Sequence, residues 1–375
     1  MMSSGKDNDN EATVYIYRSF DRNRDSRVQR NASLFPHKSV KIIDNPPSKK
    51  VRSIQFEYIG KLLKICRYLI FICIIIPKSV ISSKSHTVHL FMDLECAILG
   101  VLAARITGRY AIFDIVDPFG YTKIRQFSAV QHMFILLENL VATMSNLTLA
   151  PHQRRLDIYP ISFNSVIVEN VPRFSKLSKT NISVESGMQK KIAQLQDLGG
   201  FDLKIGYFGS LDIKTRGLEL LIEVARMYPN VAIIIAGKGR LSDDLLKIDQ
   251  SNLFFLGEFK SDDLSELYKA VDFTWMYYSF EDKLHSLACP NKYYEHLYFS
   301  TPCIASSNIP NAIDIREFNT GVVLNKDMSS REIFGIMLNY NCADANFSAN
   351  LKLPEEYYRA VSSEIHDLMP QVSRC

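Results

Sequence analysis

From Leu203 onward the chain alternates short, dense apolar runs with stretches whose apolar residues recur every three or four positions. LKIGYF from Leu203, VAIIIA from Val231, NLFFLGEF from Asn252 and VDFTWMYY from Val271 have the length and the branched or aromatic content of buried strands. Between them, IKTRGLELLIEVARMYP and SDDLSELYKA carry helical spacing. A last unit, ACPNKYYEHLYFSTPCIAS (Ala288 to Ser306), reads as a loop, a helix and a buried strand. Strands alternating with helices in this way predict a doubly wound parallel sheet, whose ligands bind beyond the carboxyl ends of the strands.

The first half repeats the alternation less densely. TVYIY from Thr13 reads as a strand, DSRVQRNASLF as a helix, HTVHLFMD and YAIFDIVD as strands, and DLECAILGVLAARITG as the helix between those two. VIVENVPRF from Val166 closes this half. The organisation expected is a polar, disordered terminus over 1–12, a first domain over 13–174, a connection over 175–202, a second domain over 203–345 and a helical segment over 346–375. REIFGIMLNY and PEEYYRAVSSEI are the helices expected after Asn325.

The chemistry concentrates at the predicted carboxyl ends of the second half. Lys292 and Glu295 are three residues apart, so on a helix they project together, and Pro290 tolerates its missing N–H at a helix start. Backbone N–H groups there, with Asn291 and Lys292, are expected to receive phosphate oxygens, and Glu295 to accept from sugar hydroxyls. Gly209 and Ser210 follow one strand and Gly237, Lys238 and Gly239 another, so the 209–210 amides and Lys238 are further candidates for an anion. A plain surface ion pair between Lys292 and Glu295 is the competing reading.

In order, GxxGSLxxxxRGLxxL, IIIAGKG, FLGEF, LSELYKAVD and PNKYYEHLYFSTPCI resemble the carboxyl-terminal domain of GT-B glycosyltransferases, above all the family-four-like group, over roughly Leu203 to Asn325. The resemblance implies two Rossmann-like domains facing a cleft, with the 346–375 segment crossing back onto the first. It also implies a nucleotide-sugar donor (UDP-, GDP- or dTDP-linked), whose ribose meets Glu295 and whose diphosphate meets Gly209, Ser210, Arg216, Lys238, Pro290, Asn291 and Lys292. Two positions depart from the family pattern: Leu287 stands where an earlier glutamate is common, and Ser210 followed by Arg216-Gly217 replaces a frequent phosphate clamp. On the acceptor side the strand ends offer Asp93, Glu95, Asp114 and Asp117, with His89 nearby as a core histidine. Asp117 is the candidate base, because IFDIVDPFGY resembles the strand-to-loop position from which some inverting members present a carboxylate.

Composition narrows the remaining classes. At 375 residues, 47% apolar and 22% charged, the chain is globular and longer than one ordinary core. The seven cysteines show neither metal spacing nor a secreted framework, and the eight histidines form no metal motif, so reduced thiols, a cytoplasmic location and no protein-bound metal or cofactor are expected. KLLKICRYLIFICIIIPK (Lys61 to Lys78) has an uncharged run, Tyr68 to Ile76, too short to span a bilayer, which needs about 20 residues. It reads either as a buried helix or as an interfacial one, the latter because Lys49, Lys50, Arg52, Lys61, Lys64 and Arg67 form a basic region suited to an anionic membrane surface. A net charge of only +4 and the lack of a binding motif argue against nucleic acid. The function expected is transfer of a sugar to a saccharide or lipid-linked saccharide, and the family resemblance alone implies bacterial surface-polysaccharide assembly; a nucleotide-sugar epimerase and a degenerate binding subunit are the alternatives.

Overall fold

In the computed structural model the residues described are 13–19, 26–36, 38–45, 57–122, 128–172, 187–196, 200–211 and 214–369. They divide between two units, Met1–Glu169 with Glu355–Cys375, and Asn170–Pro354. Lys49, Lys50 and Arg52 lie outside the described residues, as does the terminus expected to be disordered.

The first unit is a six-stranded parallel sheet in the order β2-β1-β3-β4-β5-β6. The strands are β1 Thr13–Arg18, β2 Ser39–Asp44, β3 Val88–Met92, β4 Tyr110–Asp114, β5 Leu147–Ala150 and β6 Ser165–Ile167. β3 is buried along its whole length, as expected of a strand covered on both faces. Helix α1 is Ser26–Ala32; α2 runs through Glu57–Ile70, a π-helical turn Phe71–Ile75 and Ile76–Ile81. Pro77 accounts for the wide turn: in a regular α-helix its ring would clash with the carbonyl four residues back, inside 71–75, and it supplies no N–H. Helices α3, Asp93–Thr107, and α4, Ser128–Met144, complete this layer. Phe71, Ile76 and Val80 of α2, Ala97 and Val101 of α3, and Ile135 and Val141 of α4 share one core with Tyr17, Phe91 and Phe113 of the sheet.

The second unit holds β7 Leu203–Phe208, β8 Val231–Ala236, β9 Leu253–Gly257, β10 Phe273–Met276, β11 Cys303–Ser306 and β12 Gly321–Leu324, parallel, in the order β12-β11-β10-β7-β8-β9. Its helices are α5 Gly187–Gln196, α6 Leu218–Met227, α7 Leu264–Lys269, α8 Asn291–Tyr298, α9 Ala312–Glu317 and α10 Ser330–Leu338. Alternation along β8 explains its unbroken apolar run: Ile233 and Ile235 pack with Leu221, Val224 and Trp275, while Ile234 and Ala236 face Leu267 and Tyr268 on the other side. The second of these cores takes in Met188 and Ile192 of α5, so residues 187–196, expected within the connection, form a helix packed into this unit. The closing helix α11, Pro354–Asp367, belongs to the first unit: Ser362 Oγ donates to the Leu34 carbonyl at 2.7 Å and Glu169 N–H to Tyr357 Oη at 2.7 Å.

In each sheet the strand order reverses once, between β1 and β3 in the first unit and between β7 and β10 in the second. Ligands of open α/β sheets bind at the carboxyl ends of the strands flanking such a reversal.

Candidate functional site

At the reversal of the second unit the chain after β7 is tied to β8 and its loop. Gly209 N–H donates to Ala236 O at 3.0 Å and Leu211 N–H to Lys238 O at 3.1 Å, while Tyr207 Oη donates to Ser210 O at 2.7 Å. The Gly209 amide is therefore engaged by the sheet, and what Gly209 contributes is closeness: a Cβ there would stand 3.1 Å from Lys292 Nζ. Gly237 is required for the same reason, since a Cβ on it would collide with the Gly209 carbonyl. Gly217, at φ 63, lets the chain turn from the Lys214–Arg216 segment into α6 in the left-handed region that other residues adopt at a cost.

Lys292 enters from α8, which begins after Pro290 in extended conformation with no side chain capping its start. Its ammonium stands 3.5 Å from the centre of the Tyr207 ring. Across the reversal, the Arg216 guanidinium lies 4.0 Å over the Tyr278 ring, its backbone fixed by a 2.8 Å bond from Trp275 Nε1 to Arg216 O. Arg216 Nη1 is buried without a hydrogen-bond partner. Burial and then the neighbouring Arg216 charge push the Lys292 pKa down, against the pull of Glu295. Glu295 is 9% exposed and accepts from Tyr268 Oη at 2.9 Å. Burial raises its pKa, opposed by that hydrogen bond and by Lys292. The plain ion pair is thus replaced by a cation on an aromatic face and a carboxylate on a hydroxyl. Neither basic group is tied to a carboxylate, and burial favours the uncharged form of Lys292.

The structure brings Gly209, Ser210, Arg216 and Lys292 together, with Pro290, Asn291 and Glu295 on the same α8 segment. Lys238 is placed differently: its side chain is 72% exposed and pairs at 2.7 Å with Glu258. Leu287, at the position of the absent glutamate, is buried. Several polar groups at this end of the sheet were not foreseen. His285 is buried, with Nδ1 2.8 Å from Ser279 O, where it donates, and Nε2 3.4 Å from Thr215 Oγ1. Asn308 donates to the same Ser279 carbonyl at 3.1 Å, and its Oδ1 is buried without a partner. Tyr207 and Tyr278 carry the two cations, a role written in no local spacing.

The carboxylates of the first unit differ in role. Asp114 is fully buried and accepts from Arg27 at 2.6 and 2.8 Å and from Asn31 at 2.6 Å, so it is structural. Asp117 follows β4, half exposed, 2.9 Å from Arg155. Asp93 begins α3 at φ 62, a conformation rare outside glycine, and pairs with Arg18 at the reversal itself. Burial pushes its carboxyl up to about 7, with Arg18 opposing and Glu95, Asp117 and Asp114 reinforcing the rise. His89 is a core residue between Tyr17 Oη, at 2.9 Å, and Ser83 Oγ, at 3.0 Å, and burial drives its pKa down to about 3. Among the described residues no three His, Cys, Asp or Glu side chains are grouped to hold a metal ion.

Residues 202–334 match the model of a family described as Glycosyl transferases group 1. No curated protein matches the chain. Among solved structures, sucrose-phosphate synthase from Thermosynechococcus elongatus is similar at a TM-score of 0.64 and 12% identity, over 96% of this chain and 99% of that one. HepE from Anabaena, solved with UDP and glucose, is similar at a TM-score of 0.61 and 15% identity, over 96% of this chain and 100% of that one.

Proposed function

We propose that this chain, a glycosyltransferase of the GT-B fold whose residues 202–334 belong to the group 1 family, moves a sugar from a nucleoside-diphosphate donor to a saccharide or lipid-linked saccharide acceptor in polysaccharide assembly. One observation carries this reading: Lys292 and Arg216 stand on the Tyr207 and Tyr278 rings at the reversal of the second sheet, both held away from a neutralising carboxylate. A diphosphate suits that pair. As the bond from the anomeric carbon to the phosphate oxygen breaks, negative charge grows on the leaving group, and fixed cations lower that transition state more than the ground state. Glu295 is the acceptor for ribose hydroxyls, with Tyr268 holding one of its oxygens.

The acceptor oxygen forms the new bond to the anomeric carbon, and its proton passes to a carboxylate and then to solvent. We assign that carboxylate to Asp117, whose half-exposed side chain follows the carboxyl end of β4. The HepE complex makes a UDP-sugar the first donor to try. We place the enzyme in the cytoplasm, peripherally on the inner face of the membrane, where lipid-linked acceptors are reached. No helix of the described residues is long and apolar enough to cross a membrane.

A thermal-shift panel of UDP-, GDP- and dTDP-sugars, followed by assay of sugar transfer and donor hydrolysis, tests the reading. Stabilisation by one nucleotide series together with sugar release or transfer is expected. Failure of every nucleotide to stabilise the protein would remove the donor site, and binding without transfer or hydrolysis would leave a degenerate subunit.

A further inference from the structure

Helices α2, α3 and α4 turn a second apolar face away from their shared core. The steps β2 to β3, β3 to β4 and β4 to β5 all move the same way across the sheet, so right-handed crossovers place the three helices on one side of it. Their inner residues fill the core, yet the opposite positions are apolar as well. On α4, Met133, Leu136 and Leu140 recur at helical spacing and are 55%, 57% and 55% exposed. On α3, Leu102 and Ile106 are exposed one turn apart, and α2 adds Ile70 and Ile74. Single exposed apolar residues are ordinary, but aligned stripes on three adjacent helices mark a surface that something covers.

We propose that this outward face docks on an anionic lipid bilayer, its apolar side chains inserting shallowly into the headgroup region. The charges select that occupant. Among the described side chains of these helices, the exposed charged ones are Lys64, Arg67, Lys78 and Arg105, all basic. Of the acids on these helices whose side chains are described, Asp93 and Glu95 lie in the first turn of α3, neither of them exposed, and Glu138 is buried. A second copy of the chain would bring like charges against one another, whereas an anionic surface attracts them. Since no described helix can cross, the helices lie in the interface. The inference deepens the reading of a lipid-linked acceptor and is independent of the donor site on the second unit.

Flotation of the full chain with vesicles of phosphatidylcholine alone, or enriched in phosphatidylglycerol, at low and high salt is the test. Binding should require the anionic lipid and fall with salt. Leu136→Ser with Leu140→Ser, and separately Lys64→Ser with Lys78→Ser, should each lower vesicle partitioning at least tenfold, the charge pair by roughly fivefold per residue. Both variants should keep the wild-type melting temperature and the nucleotide-induced shift. The charge variant touches only exposed side chains, so it remains decisive if the apolar one misfolds. Wild-type protein that ignores anionic vesicles at low salt overturns the proposal, as does partitioning unmoved by both variants. A dimer in sedimentation that the apolar variant dissociates, with no vesicle binding, assigns the face to a second copy and overturns it too. Loss of the nucleotide response with vesicle binding intact would count against the donor site alone.

Discussion

The two units share an architecture, six parallel strands with a single reversal of order, and differ in the charge they gather there. At the reversal of the second unit, Lys292 and Arg216 rest on tyrosine rings and the nearby carboxylate, Glu295, is turned to a tyrosine hydroxyl. The first unit places carboxylates at its strand ends, Asp93 paired with Arg18 and Asp117 with Arg155. One sheet gathers basic groups on aromatic rings, and the other gathers carboxylates beside arginines. The transfer proposed above, from a diphosphate to a hydroxyl, would draw on both, the basic groups for the leaving charge and a carboxylate for the acceptor proton.

Removing the carboxylate side should have the largest effect. Asp117→Asn is expected to lower turnover by about 10²- to 10⁴-fold while leaving the nucleotide dissociation constant unchanged. If single-turnover kinetics show Asp93→Asn losing activity while Asp117→Asn retains it, the base moves to the strained residue beside Arg18. On the cationic side, Lys292→Ala should reduce turnover by about 10²- to 10³-fold, because the leaving charge develops only as the bond breaks. A raised Michaelis constant with intact turnover would make Lys292 a residue of ground-state binding.

Glu295→Gln keeps the size and removes the charge, so nucleotide binding should weaken by about 1.5–3 kcal/mol in calorimetry, with the fold preserved. An unchanged dissociation constant in the folded variant would take Glu295 out of the site. The pH dependence follows from Lys292, which burial and Arg216 hold below the usual lysine range in the free protein. Phosphate oxygens favour the charged form and raise the pKa, so binding takes up a proton between the free and bound values. Affinity should therefore fall as pH rises through that window, by at most about tenfold per unit. Calorimetry in two buffers of different ionisation enthalpy will show the proton uptake, and Lys292→Ala should abolish it. Lys238→Ala should do least, changing stability and binding by no more than about 0.5 kcal/mol, because its pair with Glu258 is exposed.

Much of the second unit was legible because its strands are covered on both faces. VAIIIA and LKIGYF can be little else when every position of β8 is buried and β7 is nearly so. The helix bearing Lys292 and Glu295 was legible for a local reason, since three residues of spacing set a shared direction. Strands β2, β5 and β12 were missed: four to six residues long, they lack runs that stand out from neighbouring helices. Helix α4 was missed because apolar residues on both its faces blur the helical period. The buried reading of α2 holds for Phe71, Ile76 and Val80, while Ile70 and Ile74 are exposed, and the interfacial reading of that outer side is the one proposed above.

What the sequence determined by itself, then, was the alternation of elements, the ends of the strands where chemistry gathers, and the local pair on α8, all of which follow from periods of two and three to four along the chain. Only the tertiary structure decided which partners those residues take. Lys238 and Arg216 each adjoin a glycine in sequence, yet Lys238 turns to Glu258 at the surface while Arg216 lies over Tyr278, distant in the chain. Tyr207 and Tyr278 come from strands β7 and β10 or the residues just beyond, which become neighbours only when the sheet order reverses between them. A cation on a ring is a contact between separate elements, and no periodicity in one stretch of chain encodes the identity of a neighbour that the folded sheet supplies.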